Sequence, residues 1–229
     1  MDEKIYTIPV TEAFKKKCGC PFCTLMRDLE KTELDLIMGA SMMEPDIRIQ
    51  TNKLGFCKNH YKKMSEMSNK LSLALMLESH LNEIKDDVSI RKNSLFGKDN
   101  SQKFTERTDE LSESCYVCEK VSEKFSKMVR TAVYLWETQR DFVNLLKEQP
   151  YFCLVHASML LKCAKARLDK KKYPLFAEDL ANVVSPYLSS LREDVSWFCK
   201  KFDYRFDAEP WGNSKDSVER AIKFLKGDF

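Results

Sequence analysis

An all-α fold is predicted for this 229-residue chain by three properties of its sequence. Glycine and proline are scarce, at 6 and 7 residues, which disfavours a turn-rich β architecture. The apolar residues are mainly Leu, Met and Phe, and they recur at helical spacing over long stretches. Two cysteine-containing patterns also recur in register, and each opens such a stretch. The expected architecture is an internally duplicated helical bundle with two Cys₃His metal sites and an appended C-terminal helical segment.

The elements follow in chain order. Thr11 is placed to cap a short helix through Lys17. Pro21 suits a first helical position, and Phe22, Leu25, Met26 and Leu29 continue at helix spacing to about Met38. A connector from Glu44 to Asn52 leads into Gly55-Phe56-Cys57. After His60, Met64, Met67, Leu71, Leu75, His80, Leu81, Ile84 and Val88 trace one helix of roughly 30 residues, ending near Arg91. Lys92 to Ser114 is polar and reads as a linker. Val121, Phe125, Met128, Val129, Ala132 and Leu135 mark the next helix. Asp141 is placed to cap a short helix that Pro150 stops, and Cys153 to Lys170 forms a further helix. Pro174 to Lys201 is expected to break or kink at Pro186. Ser214 is a candidate cap for a last helix through Lys226. The resulting organisation is a first repeat over 1–91, a linker over 92–114, a second repeat over 115–172 and a C-terminal segment over 173–229 on the same core.

The repeat carries the chemistry. Cys20-Pro21-Phe22-Cys23 precedes Phe56-Cys57-Lys58-Asn59-His60, and Cys115-Tyr116-Val117-Cys118 precedes Phe152-Cys153-Leu154-Val155-His156. Cys20 and Cys115 are 95 residues apart, as are Cys23 and Cys118, while Cys57 to Cys153 and His60 to His156 are each 96. Two patterns in register indicate duplication. Within each copy, C-x2-C and C-x2-H supply three thiolates and an imidazole, the ligand set of a tetrahedral zinc site. The candidate metal ligands are therefore Cys20, Cys23, Cys57 and His60 from the first copy and Cys115, Cys118, Cys153 and His156 from the second. Each site is expected where two helix N-termini converge, whose positive ends offset the net −1 charge of Zn²⁺ with three thiolates. Two Zn²⁺ ions are the expected cofactors. Iron, singly or in an iron–sulfur cluster with one His ligand, is the alternative and would make the protein a redox protein or enzyme.

Charge and targeting bound the rest. Lys plus Arg is 38 against 35 Asp plus Glu, a net +3 that gives no signal for polyanion binding. Met1 to Val10 carries acids and a proline instead of an apolar run, and no stretch is long enough to span a bilayer. A cytoplasmic protein without membrane association is expected, in which nine cysteines read as metal ligands or thiols rather than disulfides.

Cys18 aligns with Glu113 and reads as a spare or redox thiol, not a required ligand. Cys163 and Cys199 read as core residues, and His80 as a core or boundary histidine. Cys-Pro-Phe-Cys is glutaredoxin-like, but that fold requires a strand before the motif, and the second copy lacks the proline. The basic run Lys162 to Lys172 is the best nucleic-acid candidate, with a solvated helix end favoured over it. Asp203, Arg205, Trp211, Lys215, Asp216 and Arg220 combine both signs of charge with aromatics. They are a candidate ligand pocket, weighed against the simpler role of locking the last helix onto the bundle.

The Gly-Phe-Cys-x-x-His and C-x-x-C elements resemble those of an uncharacterised bacterial domain-of-unknown-function family, found mostly in anaerobic Gram-positive species. So do Phe202-Asp203-Tyr204-Arg205-Phe206 and the run from Pro210-Trp211-Gly212 through Lys215-Asp216 to Arg220-Ala221-Ile222. The resemblance spans essentially the whole chain and implies no established activity; an anaerobic habitat would favour the iron alternative. No nucleophile–base constellation assigns a reaction. The leading expectation is a metal-stabilised scaffold that binds an unidentified macromolecule or small ligand.

Overall fold

The computed structural model describes residues 5–89 and 101–228, which form eleven α-helices with no strand among them. Among the described residues, no helix is long and apolar enough to cross a membrane. The chain divides into two units. One comprises residues 1–28 and 125–229; the other, residues 29–124, is inserted within it along the chain. The division falls inside α2 (Pro21–Met38) and inside α7 (Tyr116–Thr138).

The first unit begins with α1 (Thr7–Lys15), which starts before Thr11 and leaves that residue in the helix interior. After α7 come α8 (Arg140–Lys147), α9 (Leu154–Arg167), α10 (Lys172–Lys200) and α11 (Ser217–Lys226). Gln139 precedes α8, so Asp141 lies in its first turn rather than at its cap. Helix α10 packs on α8, α9 and α11 and runs through Pro186 without a break. An interior proline forfeits one main-chain bond. Packing offsets this locally, because Val183 and Leu191 are buried and Tyr187 stacks on Tyr151 at a centroid distance of 4.4 Å. At the C-terminus, Asp216 occupies the position before α11, and Ser214 lies in the preceding 3₁₀ turn.

The core of this unit is aromatic. Phe14, Phe22, Phe125, Phe142, Phe152, Phe176 and Phe224 are almost wholly excluded from solvent. Phe14 meets Phe22 edge-on at 5.6 Å and Phe142 at 4.7 Å, and Phe22 meets Phe125 at 5.8 Å. These are favourable ring geometries that add to the burial term.

The second unit contains α3 (Pro45–Leu54), α4 (Lys58–Glu66), α5 (Lys70–Ile84) and α6 (Ser101–Glu113). Its core draws on methionine, with Met38, Met42, Met64 and Met76 buried beside Ile37, Phe56 and Val117. The single long helix expected after His60 is two helices. Asn69 caps α5 by accepting a hydrogen bond from the Ser72 N–H at 3.2 Å, and the chain turns at Met67–Asn69. The expected end near Arg91 lies outside the described residues. Residues 101–113 of the expected linker are helical but bury no side chain; residues 92–100 also lie outside the described residues.

His80 is buried on α5, where Nδ1–H donates to the Asn52 carbonyl at 2.7 Å. Gly55, at φ 59°, lies beneath it: a Cβ there would stand 3.0 Å from His80 Nε2. Both the left-handed conformation and the close approach require glycine.

Candidate metal centres

The eight repeated Cys and His residues gather into two groups, each able to hold a metal ion. Their pairing crosses the repeat, contrary to the within-copy quartets expected from order along the chain. Cys20 and Cys23 meet Cys153 and His156 in the first unit, and Cys57 and His60 meet Cys115 and Cys118 in the second.

Local hydrogen bonding explains the exchange. In the second unit the Tyr116 N–H donates to the Gly55 carbonyl at 3.0 Å, and Ser114 Oγ donates to the Leu54 carbonyl at 2.6 Å. Arg107 adds a bond to the Lys53 carbonyl at 2.7 Å. These bonds bring the start of α7 to the start of α4. In the first unit, Gln149 Nε2 donates to the Phe14 carbonyl at 2.7 Å, Lys17 pairs with Glu148 at 2.6 Å, and Gly19 lies against the Tyr151 ring. They bring the start of α2 to the start of α9.

Both centres have the same construction. A Cys ends the loop before a helix (Cys20 before α2, Cys115 before α7), and the second Cys of the dyad stands at its third residue. Cys57 and Cys153 are the N-cap residues of α4 and α9, with the His at the third helical position. Each centre thus takes its ligands from two helix starts, where unpaired N–H groups favour anionic sulfur.

The dimensions suit one ion. In each centre the four ligand atoms lie within 4.8 Å of one another. The Cys23–Cys153 sulfurs are 3.8 Å apart, and the Cys57–Cys118 sulfurs are 3.9 Å apart. A tetrahedral ion bonding sulfur at about 2.3 Å sets ligand sulfurs roughly 3.8 Å apart. His156 Nδ1 lies 3.2–3.6 Å from the three sulfurs of its centre, and His60 Nδ1 lies 3.2–3.5 Å from those of its own.

Their surroundings differ. Every ligand of the first centre is buried: Cys20, Cys23, Cys153 and His156 are at most 3% exposed. The His156 ring lies 5.2 Å from the Phe125 ring and 5.9 Å from that of Phe22. Near the C-terminus, the Asp228 N–H donates to Cys23 Sγ at 3.3 Å, while its carboxylate pairs with Arg27 and Lys223. In the second centre Cys115 and His60 are buried, but Cys57 is half-buried and Cys118 exposed. His60 Nε2 meets Glu30 Oε1 at 3.0 Å, and the other Glu30 oxygen pairs with Lys63 at 2.5 Å. With Nδ1 turned to the sulfurs, Nε2 carries the proton and donates to Glu30.

Thiol acidities within each centre are split. Cys153 is held down at about 3, chiefly because Cys20 and Cys23 donate to its sulfur, aided by the His156 and Val155 N–H groups. Burial, with Cys153 and Cys23 beside it, pushes Cys20 well up. In the second centre burial works against the Cys57 thiolate, but the His60 N–H and the two facing thiols hold it below its ordinary value. Cys118 is pushed up to about 12 by burial and the neighbouring sulfurs. A divalent ion bound by these sulfurs would displace the protons they carry. Burial opposes the charge on Glu30, yet Lys63 and His60 hold it below the usual carboxylate value.

The other predicted residues are placed as follows. Cys18 is exposed. Cys163 is half-buried, and Cys199 is exposed rather than in the core, near the solvent-facing C-terminal end of α10. Among the C-terminal residues, Arg205 pairs with Asp203, and Arg220 pairs with Asp194 and Asp216 at 2.9 Å each. Lys215 carries none of these pairs. The Trp211 ring lies under the Lys201 ammonium at 5.4 Å.

Sequence reasoning missed Lys201 and Glu30. Lys201 is buried and donates to the carbonyls of Phe206, Asp207 and Glu209 at 2.6–2.9 Å, pinning the segment before α11. Nothing in its spacing marks it. Glu30 lies two turns beyond Cys23 on α2, a position that the helical reading could have placed but not paired. A cavity of about 340 Å³ in the second unit was also missed; there buried Glu33 pairs with Lys124, and Lys120 lies over the Tyr116 ring.

No curated protein and no solved structure matches this chain. A family profile matches over residues 1–229, and the chain belongs to the family of unknown function DUF6062.

Proposed function

We propose that the protein is a zinc-stabilised helical scaffold in which the eight Cys and His residues hold two structural Zn²⁺ ions, one per unit. The observation that carries this reading is the size of the two ligand groups, which matches one tetrahedral ion and four protein ligands in each. A multi-iron cluster places its own irons and sulfides between its ligands and needs them further apart. Four protein ligands leave no position for substrate, which favours a structural role over Lewis-acid catalysis.

The two centres descend, on this reading, from a duplicated C-x2-C/C-x2-H unit whose halves exchanged partners. The scaffold would act in the cytoplasm by binding another molecule. The cavity lined by Glu33, Tyr116, Lys120 and Lys124 is the place for a small ligand in the second unit. The C-terminal charged residues serve to lock α11, as the Arg220 pairs suggest.

Elemental analysis and the ultraviolet–visible spectrum of anaerobically purified, tag-free protein test the proposal. About two zinc per chain and no visible absorption are expected. Iron with acid-labile sulfide and a brown colour would refute it.

A further inference from the structure

The two centres differ in one respect that the shared ligand set does not require. All four ligands of the first are buried, with the His156 ring against Phe22 and Phe125, whereas the second presents one edge, Cys57 and Cys118, outward. Ligand exchange at a four-coordinate ion is associative in character, so its rate depends on whether an incoming donor can reach the metal. Only the second centre offers such an approach.

Resting on the zinc reading above, we propose that the second centre is an exchange site, which passes its metal ion to and from small thiol ligands along the Cys57–Cys118 edge, while the first is inert. An incoming low-molecular-weight thiol forms a sulfur–metal bond and releases its proton. The Cys118–metal bond breaks, and the Cys118 sulfur takes up that proton. No electron changes hands, and a second such step at Cys57 would leave the ion held by Cys115, His60 and two incoming thiolates. It departs once a third thiol bonds it and gives its proton to the Cys115 sulfur, and the bond to His60 Nδ1 opens.

The structure divides the four ligands by role. Cys115 and His60 are buried, and His60 is held through Nε2 by Glu30, itself fixed by Lys63. These two keep the ion placed while the outer pair is exchanged. Cys118 stands in the first turn of α7, and the Tyr116 N–H bond to Gly55 holds that turn against the α4 start. The site can therefore empty and refill without separation of the two helix starts.

The test uses the full-length protein after its metal content has been measured. Protein holding two zinc ions is mixed with excess 4-(2-pyridylazo)resorcinol and cysteine under native conditions, and released zinc is followed by absorbance. One equivalent is expected in a fast phase that accelerates with cysteine concentration. The second should follow roughly 100-fold or more slowly, because it requires opening of a packed unit. Timed alkylation with mass spectrometry assigns the phases. Cys18 and Cys199 should label at once, then Cys57, Cys115 and Cys118 with the fast phase, and Cys20, Cys23 and Cys153 only with the slow one.

Cys118→Ser should retain one zinc ion and show the slow phase alone. Simultaneous release of both ions, or early labelling of Cys20, Cys23 and Cys153, would overturn the proposal while leaving the two-zinc reading intact. Fewer than two metal ions in the starting protein would overturn the reading itself, and this inference with it.

Discussion

Replacing Glu30 tests the second centre through a residue that is not a ligand. Its Oε1 lies 3.0 Å from His60 Nε2, while His60 Nδ1 faces three sulfurs at 3.2–3.5 Å. A carboxylate behind a ligating imidazole orients the ring and raises its basicity, and its loss typically costs ~10–100-fold in metal affinity, or ~1.4–2.7 kcal/mol. Glu30 is 24% exposed and shares its charge with Lys63, so the smaller end of that range applies when geometry is kept. Glu30→Gln retains an acceptor oxygen and should weaken binding about tenfold; Glu30→Ala also loses orientation and should approach 100-fold. Competition against a chromophoric chelator measures the affinities, and alkylation of Cys57, Cys115 and Cys118 against Cys20, Cys23 and Cys153 assigns them. Equal weakening of both centres, or no change in Glu30→Ala, would refute the argument.

Three further perturbations address other parts of the molecule. Cys153→Ser should lower the zinc content to one per chain and destabilise the first unit by ~3 kcal/mol or more, since it disrupts a buried ligand set; two zinc ions and an unchanged melting curve would count against that role. Chelation strong enough to strip both ions should unfold the first unit in parallel with metal loss, seen as falling helical circular dichroism; a fully helical metal-free chain would contradict a structural centre. Gly55→Ala should cost ~1–3 kcal/mol through its left-handed φ and the approach to His80, read by urea unfolding, and His80→Ala in the same chain should recover only the steric part.

The α2 limits were legible because two local signals agree: Pro21 fits a first turn, and Gly39 follows Met38. The eight Cys and His residues that gather into two groups were legible too, since a two-residue spacing has a direct chemical meaning in a helix start. Their pairing was not. The repeat makes each C-x2-C equivalent to the other, so nothing in the spacing distinguishes a partner 34 positions ahead from one across the chain. The choice rests on bonds such as Tyr116 to Gly55, for which Pro21, lacking an N–H, has no counterpart. The break at Met67–Asn69 was hidden because Met64, Met67 and Leu71 keep the apolar phase across it, although Asn69 supplied a cap signal. Pro186 misled in the opposite sense: local chemistry argued for a kink, and packing by α8, α9 and α11 prevailed. Cys199 shows that helical phase alone does not decide burial: one residue before the end of α10, it is exposed.

The crossed pairing also gives the two centres different places in the history of each molecule. The second centre needs only residues 57 to 118, with His60 and Cys115 55 positions apart. The first must wait for Cys153 and His156, 130 residues beyond Cys23. On the ribosome the inner unit can gather its ligands while the outer unit's C-terminal half is still unmade, leaving Cys20 and Cys23 as an exposed thiol pair meanwhile. The longer span adds about 0.8 kcal/mol of closure entropy for an unstructured chain, and prior ordering of residues 29–124 reduces it. If both centres bind metal as proposed, order of synthesis becomes order of metallation, with the more accessible centre filled first and the buried one last.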